Sequence, residues 1–341
     1  MGGAGDEKGA SPVDSKVIMN NIDNLSSAFR GLDPWVANVP QGNRVNFLGV
    51  LTSLDYFSDP GAHFDDVERA RADSYQTSTR LPELTDGEGY FEWIDLLDSI
   101  RAARERFVMV ELGGGYGSRS VDAHAALSRL NPLPEMYVVV EAMAQHIAWA
   151  RDNFLANGLA LEQHWFVNAL VNASGRPELF AHASGVYYSS AIDAATRQRV
   201  FDAINSEGHV EAVARNLIME GHMGLALPVA GDTDASMEVE FVSAIRLGTI
   251  LTPLPAVDLL DVDIQFAEES VVPDAIDDIE RKVKRIHIGT HAPPIHEKLH
   301  HLLRERGWQI VFSYMPYATF ETPQGRFETK DGILGAINPA L

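Results

Sequence analysis

The chain contains no cysteine. Disulfides, thiolate zinc sites and a cysteine nucleophile are therefore excluded. Basic residues are scarce as well: 27 lysines and arginines stand against 48 aspartates and glutamates, a formal net charge of −21. A surface that acidic repels phosphate backbones and anionic lipid, which argues against nucleic acid and membranes as partners. The basic run Arg281-Lys-Val-Lys-Arg285 precedes a strand-like segment and reads as a solvated helix end. No apolar run is long enough to span a bilayer. The amino terminus is polar, rich in glycine and acid, and lacks the basic and apolar zones of a signal peptide. A cytoplasmic location is the resulting expectation.

What is present suffices for a large core. At 341 residues and 45% hydrophobic, the chain has room for one large α/β domain with additions or for two modest domains. Residues 1–15 are small and polar and are expected to be disordered. Residues 16–89 look like an accessory cap, with a short strand or buried helix start at Val45 to Leu51 and a charged helix at Phe64 to Tyr75. Gly89 to Ile100 predicts an amphipathic helix with Phe91, Ile94, Leu97 and Ile100 near one face. Tyr90 or Trp93 could border a ligand there, although core packing is the simpler role.

The most informative stretch is Phe107-Val-Met-Val-Glu-Leu-Gly-Gly-Gly-Tyr-Gly117. An apolar run ending in an acid and glycines predicts a buried parallel strand, a tight turn open to a ligand, and a helix from Ser118. The spacing differs from the dinucleotide fingerprint, because Ser118 stands where its third glycine would fall. A second buried strand, Met136 to Val140, ends at Glu141, 24 residues past Gly117. That is close to the interval at which an acid takes ribose hydroxyls. A glycine turn without ligand and a solvated capping glutamate are the plainer alternatives.

Further strands are expected at His164 to Ala169, Val257 to Ile264, Val283 to Gly289, Trp308 to Tyr314 and Asp331 to Ile337. An insertion at about 185–248 interrupts the series, with one clear helix at Ala194 to Ile204. Tyr187 and Tyr188 open the insertion and could stack on an acceptor, or simply pack. Seven strands alternating with helices predict a mostly parallel α/β sheet with helices on both faces and a final antiparallel strand near Ile333.

The glycine segment resembles motif I of S-adenosylmethionine (SAM)-dependent methyltransferases, and the strand–helix order resembles their class I, Rossmann-like fold. With Val140-Glu141, Val167-Asn-Ala-Leu-Val-Asn-Ala-Ser-Gly175, Val257 to Glu268 and Arg306-Gly-Trp308, residues from about Tyr90 to Pro339 resemble the FkbM-type family. The resemblance implies a methyltransferase domain over 90–341 that moves a methyl group from SAM to a saccharide or natural-product hydroxyl. It also implies that Glu111, Gly113, Gly115 and Gly117 line the methionine and ribose portions of SAM. Glu141 would hold the ribose hydroxyls, and Asn168 would lie near the adenine. A homo-oligomer is left open.

One segment departs from the family pattern. Where the family commonly shows Lys-x-Asp-x-Glu-Gly-x-Glu, this chain has Asp261-Val-Asp-Ile-Gln-Phe-Ala-Glu268. In a regular strand Asp261, Asp263 and Gln265 would share one face, and Phe266 in place of glycine would narrow the site. Nearby, Arg285-Ile-His-Ile-Gly-Thr-His291 brings His287 and His291 toward the end of the next strand. His291 is the expected general base, oriented by Asp263 or Glu268. Asp263, His287 and His291 also make candidate ligands for a divalent metal. His296, His300 and His301 are expected in core or solvent-facing roles. The altered segment keeps open a SAM-binding regulatory or catalytically impaired protein; a nicotinamide oxidoreductase is disfavoured by the glycine spacing.

Overall fold

The computed structural model describes residues 26–56, 74–183, 189–191, 225–228 and 236–341. Seven strands form the central sheet: β1 Phe107–Leu112, β2 Glu135–Glu141, β3 Trp165–Asn168, β4 Leu259–Val262, β5 Arg285–Thr290, β6 Gln309–Tyr314 and β7 Gly332–Ile337. Their spatial order is β6-β7-β5-β4-β1-β2-β3. Every strand runs parallel except β7, which lies antiparallel between β5 and β6. This is the class I methyltransferase fold, as expected from the sequence. The chain leaves β1 toward β2 and β3 on one side, then returns to place β4 on the other. That reversal is the topological switch point, where the carboxyl ends of open α/β sheets leave a crevice for ligands.

The helices that matter for the site are α1 Glu88–Ala102, α2 Ser118–Leu130, α3 Ala144–Ala156, α4 Leu247–Leu251, α5 Glu268–Asp274, α6 Ile276–Lys282 and α7 Pro293–Glu305. β1 is buried at every position, which is why its sequence is an unbroken apolar run rather than an alternation. Its residues divide between two cores. Phe107 and Met109 join Phe91, Ile94, Leu97 and Phe154 on one face, while Val108, Val110 and Leu112 join Val138, Leu260, Ile286 and Leu299 on the other. Tyr90 and Trp93 lie in the first of these cores, Tyr90 stacked on Phe29 at 5.6 Å and Trp93 edge-on to Phe47 at 4.6 Å.

Several local expectations need correction. Val45 to Leu51 is neither a strand nor a helix start but the turn of a hairpin between Asn43–Val45 and Leu51–Ser53. β4 stops at Val262, and Gln265 and Phe266 follow with φ of 48° and 75°. Asp261, Asp263 and Gln265 therefore do not line one face of a strand. Arg285 is not part of a solvated helix end. It begins β5, is buried, and its guanidinium donates to Asp95 Oδ1 at 2.6 Å. The hairpin Ala318–Thr322 with Gly325–Thr329 was not anticipated. An extended piece is expected from the sequence at Pro177 to His182, and it forms Glu178–Ala183 of a four-stranded sheet. The order there is Ser189–Ala191, Glu178–Ala183, Ser236–Val242, Leu225–Pro228, and the other three strands were not anticipated. The tail expected over 1–15, the helix expected over 194–204 and the pair Tyr187–Tyr188 lie outside the described residues. So does all but the end of the helix expected over 64–75, where Tyr75 instead opens a strand. No helix among the described residues is long and apolar enough to cross a membrane.

Candidate active site

The glycine turn after β1 is pressed against its neighbours. Gly113 and Gly114 both donate their N–H to the Val140 carbonyl, at 2.9 and 3.1 Å. A Cβ on Gly113, whose φ is 73°, would fall 1.8 Å from the Asp263 carbonyl oxygen, so no side chain fits there. Gly115 donates its N–H to Glu141 Oε2 at 3.0 Å, tying the turn to the acid at the end of β2. Gly117 serves packing: its φ is 68°, and a Cβ would meet the Phe154 ring of α3 at 2.9 Å.

Two buried glutamates organise this end. Glu111 accepts from the Arg119 N–H at 3.2 Å and from the Ser120 N–H and hydroxyl at 3.0 and 2.5 Å. It thus caps the free amides of the first turn of α2. Burial pushes the Glu111 carboxyl up to about 8, against the pull of the Ser120 hydroxyl and with the repulsion of Asp261. Asp261 is its direct neighbour across β1 and β4. Glu141 accepts from the Met143 N–H at 2.8 Å and faces His146 Nδ1 at 3.5 Å.

A cleft of about 860 Å³ starts at Tyr116, Glu141, His146, Leu170 and Asn172. It passes Glu111 and Gly113 to Gly115, and ends at Asp261, Asp263, Phe266 and Asp331. Asn168 and Gly117 are not in its lining. The Asn168 amide instead donates to the Glu141 and Ala142 carbonyls at 3.1 and 2.8 Å, bracing the turn from β2 to α3. Leu170 and Asn172, further along the same segment, line the cleft instead.

At the far end, four elements bring their termini together: β4, α5, β5 and β7. His291, just past β5, has its Nδ1 2.9 Å from Glu268 Oε1, and its N–H donates to the same oxygen at 3.2 Å. His291 Nε2 faces Asp263 Oδ1 at 3.3 Å and Asp331 Oδ1 at 3.8 Å. Burial alone would lower the histidine, but Asp263 and Glu268 outweigh it and raise His291 to about 10. Glu268 and His291 are buried, whereas the Asp263 side chain is 53% exposed. Sequence reasoning missed Asp331. It stands alone before β7, and only the insertion of β7 beside β5 brings it here.

His287 does not join this group. Its Nδ1 lies 2.8 Å from Asp95 Oδ2, on an aspartate that also binds Arg285. The expected set of Asp263, His287 and His291 is therefore divided between two carboxylate partners, and no group of three His, Asp or Glu among the described residues is arranged to hold a metal. His296 belongs to the packing: its ring nitrogens lie 2.9 Å from the Thr290 hydroxyl and 2.8 Å from that of Ser313. Burial lowers it to about 4, with His300 adding to the effect. Phe266 does not fill the cleft. It is half exposed on the cleft wall, with its ring 5.4 Å from that of His291.

No family model matches the chain. A curated protein of Jannaschia sp. (strain CCS1), described as "Putative methyltransferase", is 24% identical over 253 residues, 73% of this chain and 79% of the relative. The chain is similar to a methyltransferase. Among solved structures, a precorrin-6y C5,15-methyltransferase from Geobacter metallireducens GS-15 matches at 13% identity and a TM-score of 0.35, covering 75% of this chain and 92% of that one. Methyltransferase FkbM from Methylobacillus flagellatus KT matches at 10% identity and a TM-score of 0.37, covering 75% of this chain and 56% of that one. Superpositions this weak carry no argument, and the fold assignment rests on the strand order. The FkbM-type likeness rests on the motifs quoted above.

Proposed function

We propose that the protein is a SAM-dependent methyltransferase acting on a hydroxyl of a saccharide or small natural product. The observation that carries this reading is one continuous cleft over the switch point. It joins the Gly113–Gly115 turn and Glu141 to Asp263 and Asp331; His291 and Glu268 lie behind these carboxylates, outside the cleft lining.

The first end suits SAM. Glu141 is buried, held by two backbone N–H groups, and has no lysine or arginine partner among the described residues. A carboxylate fixed in that way retains lone pairs for a pair of vicinal hydroxyls. Ala142, Leu170 and Val171 offer apolar surface beside it. SAM, when bound, supplies a methyl group already activated on a sulfonium.

The protein's remaining work is to align an acceptor, exclude water and take a proton. His291 sits between carboxylates that keep it an imidazolium at neutral pH, so the role of base passes to Asp263. Asp263 Oδ1 reaches the cleft and takes the hydroxyl proton, while His291, fixed by Glu268, orients that carboxylate. The charge of −21 makes nucleic acid an unfavourable acceptor.

Calorimetry with S-adenosylhomocysteine tests the reading. Glu141→Ala should weaken binding by about 1.5–3 kcal/mol through loss of a charged acceptor. Unchanged affinity would remove Glu141 from the site. A second reading, binding without turnover, draws on Gln265 and Phe266, whose left-handed φ of 48° and 75° occupy the segment that departs from the FkbM-type pattern. Retained affinity with no transfer to a broad hydroxyl panel would favour it.

A further inference from the structure

The far end of the cleft has more negative charge than its own cations balance. Glu268, Asp263 and Asp331 surround a single imidazolium, His291. Among the described residues neither Asp263 nor Asp331 forms an ion pair with a lysine or arginine. Burial raises the Asp331 carboxyl; His291 and, more weakly, the adjacent Lys330 oppose that shift, and Asp263 and Glu268 reinforce it. The Phe266 ring lies against the same histidine, and a tyrosine hydroxyl reaches its carbonyl. Phe266 is 51% exposed and Tyr317 68% exposed, and the Tyr317 hydroxyl donates to the His291 carbonyl at 3.4 Å. Large apolar rings left in water beside carboxylates are the composition of sites that hold organic cations.

An independent observation points to a ligand as well. His291 is 4% exposed, yet its Nε2, although ion-paired with Asp263 Oδ1 at 3.3 Å, makes no hydrogen bond of good geometry and is aimed at the gap between Asp263 and Asp331. A buried donor without an acceptor is costly. In one place, then, a buried donor lacks a well-aligned acceptor and three carboxylates share one imidazolium. Resting on the methyltransferase reading, we infer that the acceptor is an amino alcohol or amino sugar, whose protonated amine is held by Asp331 and Asp263 beside the Phe266 ring. Its hydroxyl is the group presented to Asp263.

Paired probes test this near neutral pH with S-adenosylhomocysteine bound: glucosamine against glucose, and 2-aminocyclohexanol against cyclohexane-1,2-diol. Calorimetry should find the amine of each pair about tenfold the tighter binder, a preference that weakens with salt. Asp331→Asn should reduce that preference about fivefold or more and leave S-adenosylhomocysteine affinity unchanged. Phe266→Gly removes the ring and relieves the left-handed backbone, so its loss of preference would not reflect failed folding. Equal binding of amine and neutral probes, or a preference untouched by both substitutions, overturns the inference while the cofactor reading stands. Failure of S-adenosylhomocysteine to bind overturns both.

Discussion

Replacing Glu268 by glutamine keeps the shape of a fully buried side chain and removes its charge. In the folded protein Glu268 Oε1 lies 2.9 Å from His291 Nδ1 and accepts the His291 N–H at 3.2 Å. His291 is raised from 6.5 to about 10, against the effect of burial, by Asp263 and Glu268 together. At ~1.36 kcal/mol for each tenfold gain in proton affinity, the imidazolium is favoured by about 5 kcal/mol as a ceiling. Asp263 is 53% exposed, so its share is screened by solvent, while Glu268 is buried and keeps most of its strength. We expect Glu268→Gln to destabilise the fold by about 2–3 kcal/mol at neutral pH. The sign of the pH dependence follows from the direction in which the histidine is moved. A histidine with a raised folded pKa stabilises fully below 6.5, and that contribution is lost as pH rises through about 10. Urea unfolding of both proteins across this range should therefore show a gap that is widest near 6.5 and closes toward 10. A gap that is absent, or constant with pH, would refute the pairing.

Two further outcomes are expected. Asp95→Ala leaves the Arg285 guanidinium and His287 without their shared buried carboxylate and should cost about 3–5 kcal/mol in chemical denaturation; a loss below about 1 kcal/mol would mean that water replaces the carboxylate. If Asp263 is the base and His291 a fixed cation, the methyl-transfer rate should show no inflection near 6.5 and should fall as pH passes about 10. An acid limb centred near 6.5 that His291→Asn abolishes would return the base to His291.

The features whose cause is local could be read from the amino acids alone. β1 is legible because a strand covered on both faces must be apolar throughout, and the turn after it because Gly113 and Gly117 adopt positive φ. Glu141 is legible because an acid that ends a buried strand must sit at the sheet's edge. The order of strands and helices, and with it the class I sheet, follows from the same periodicities. Which distant groups meet was settled only by packing. Asp95 on α1 finds Arg285 and His287 because β5 lies across from that helix, which withdraws His287 from the cluster the sequence suggested. Asp331 reaches His291 because β7, expected as a final antiparallel strand, pairs with β5 in a register that no local pattern encodes. The polar segment after β4 looked like a continuing strand, since alternation alone does not mark where a ladder ends. The left-handed φ of Gln265 and Phe266, the end of β4 at Val262 and the approach of the Asp263 carbonyl to Gly113 are set by how the chain leaves the sheet. Local preference is written residue by residue, whereas convergence at a site depends on register and crossover between segments far apart in the chain.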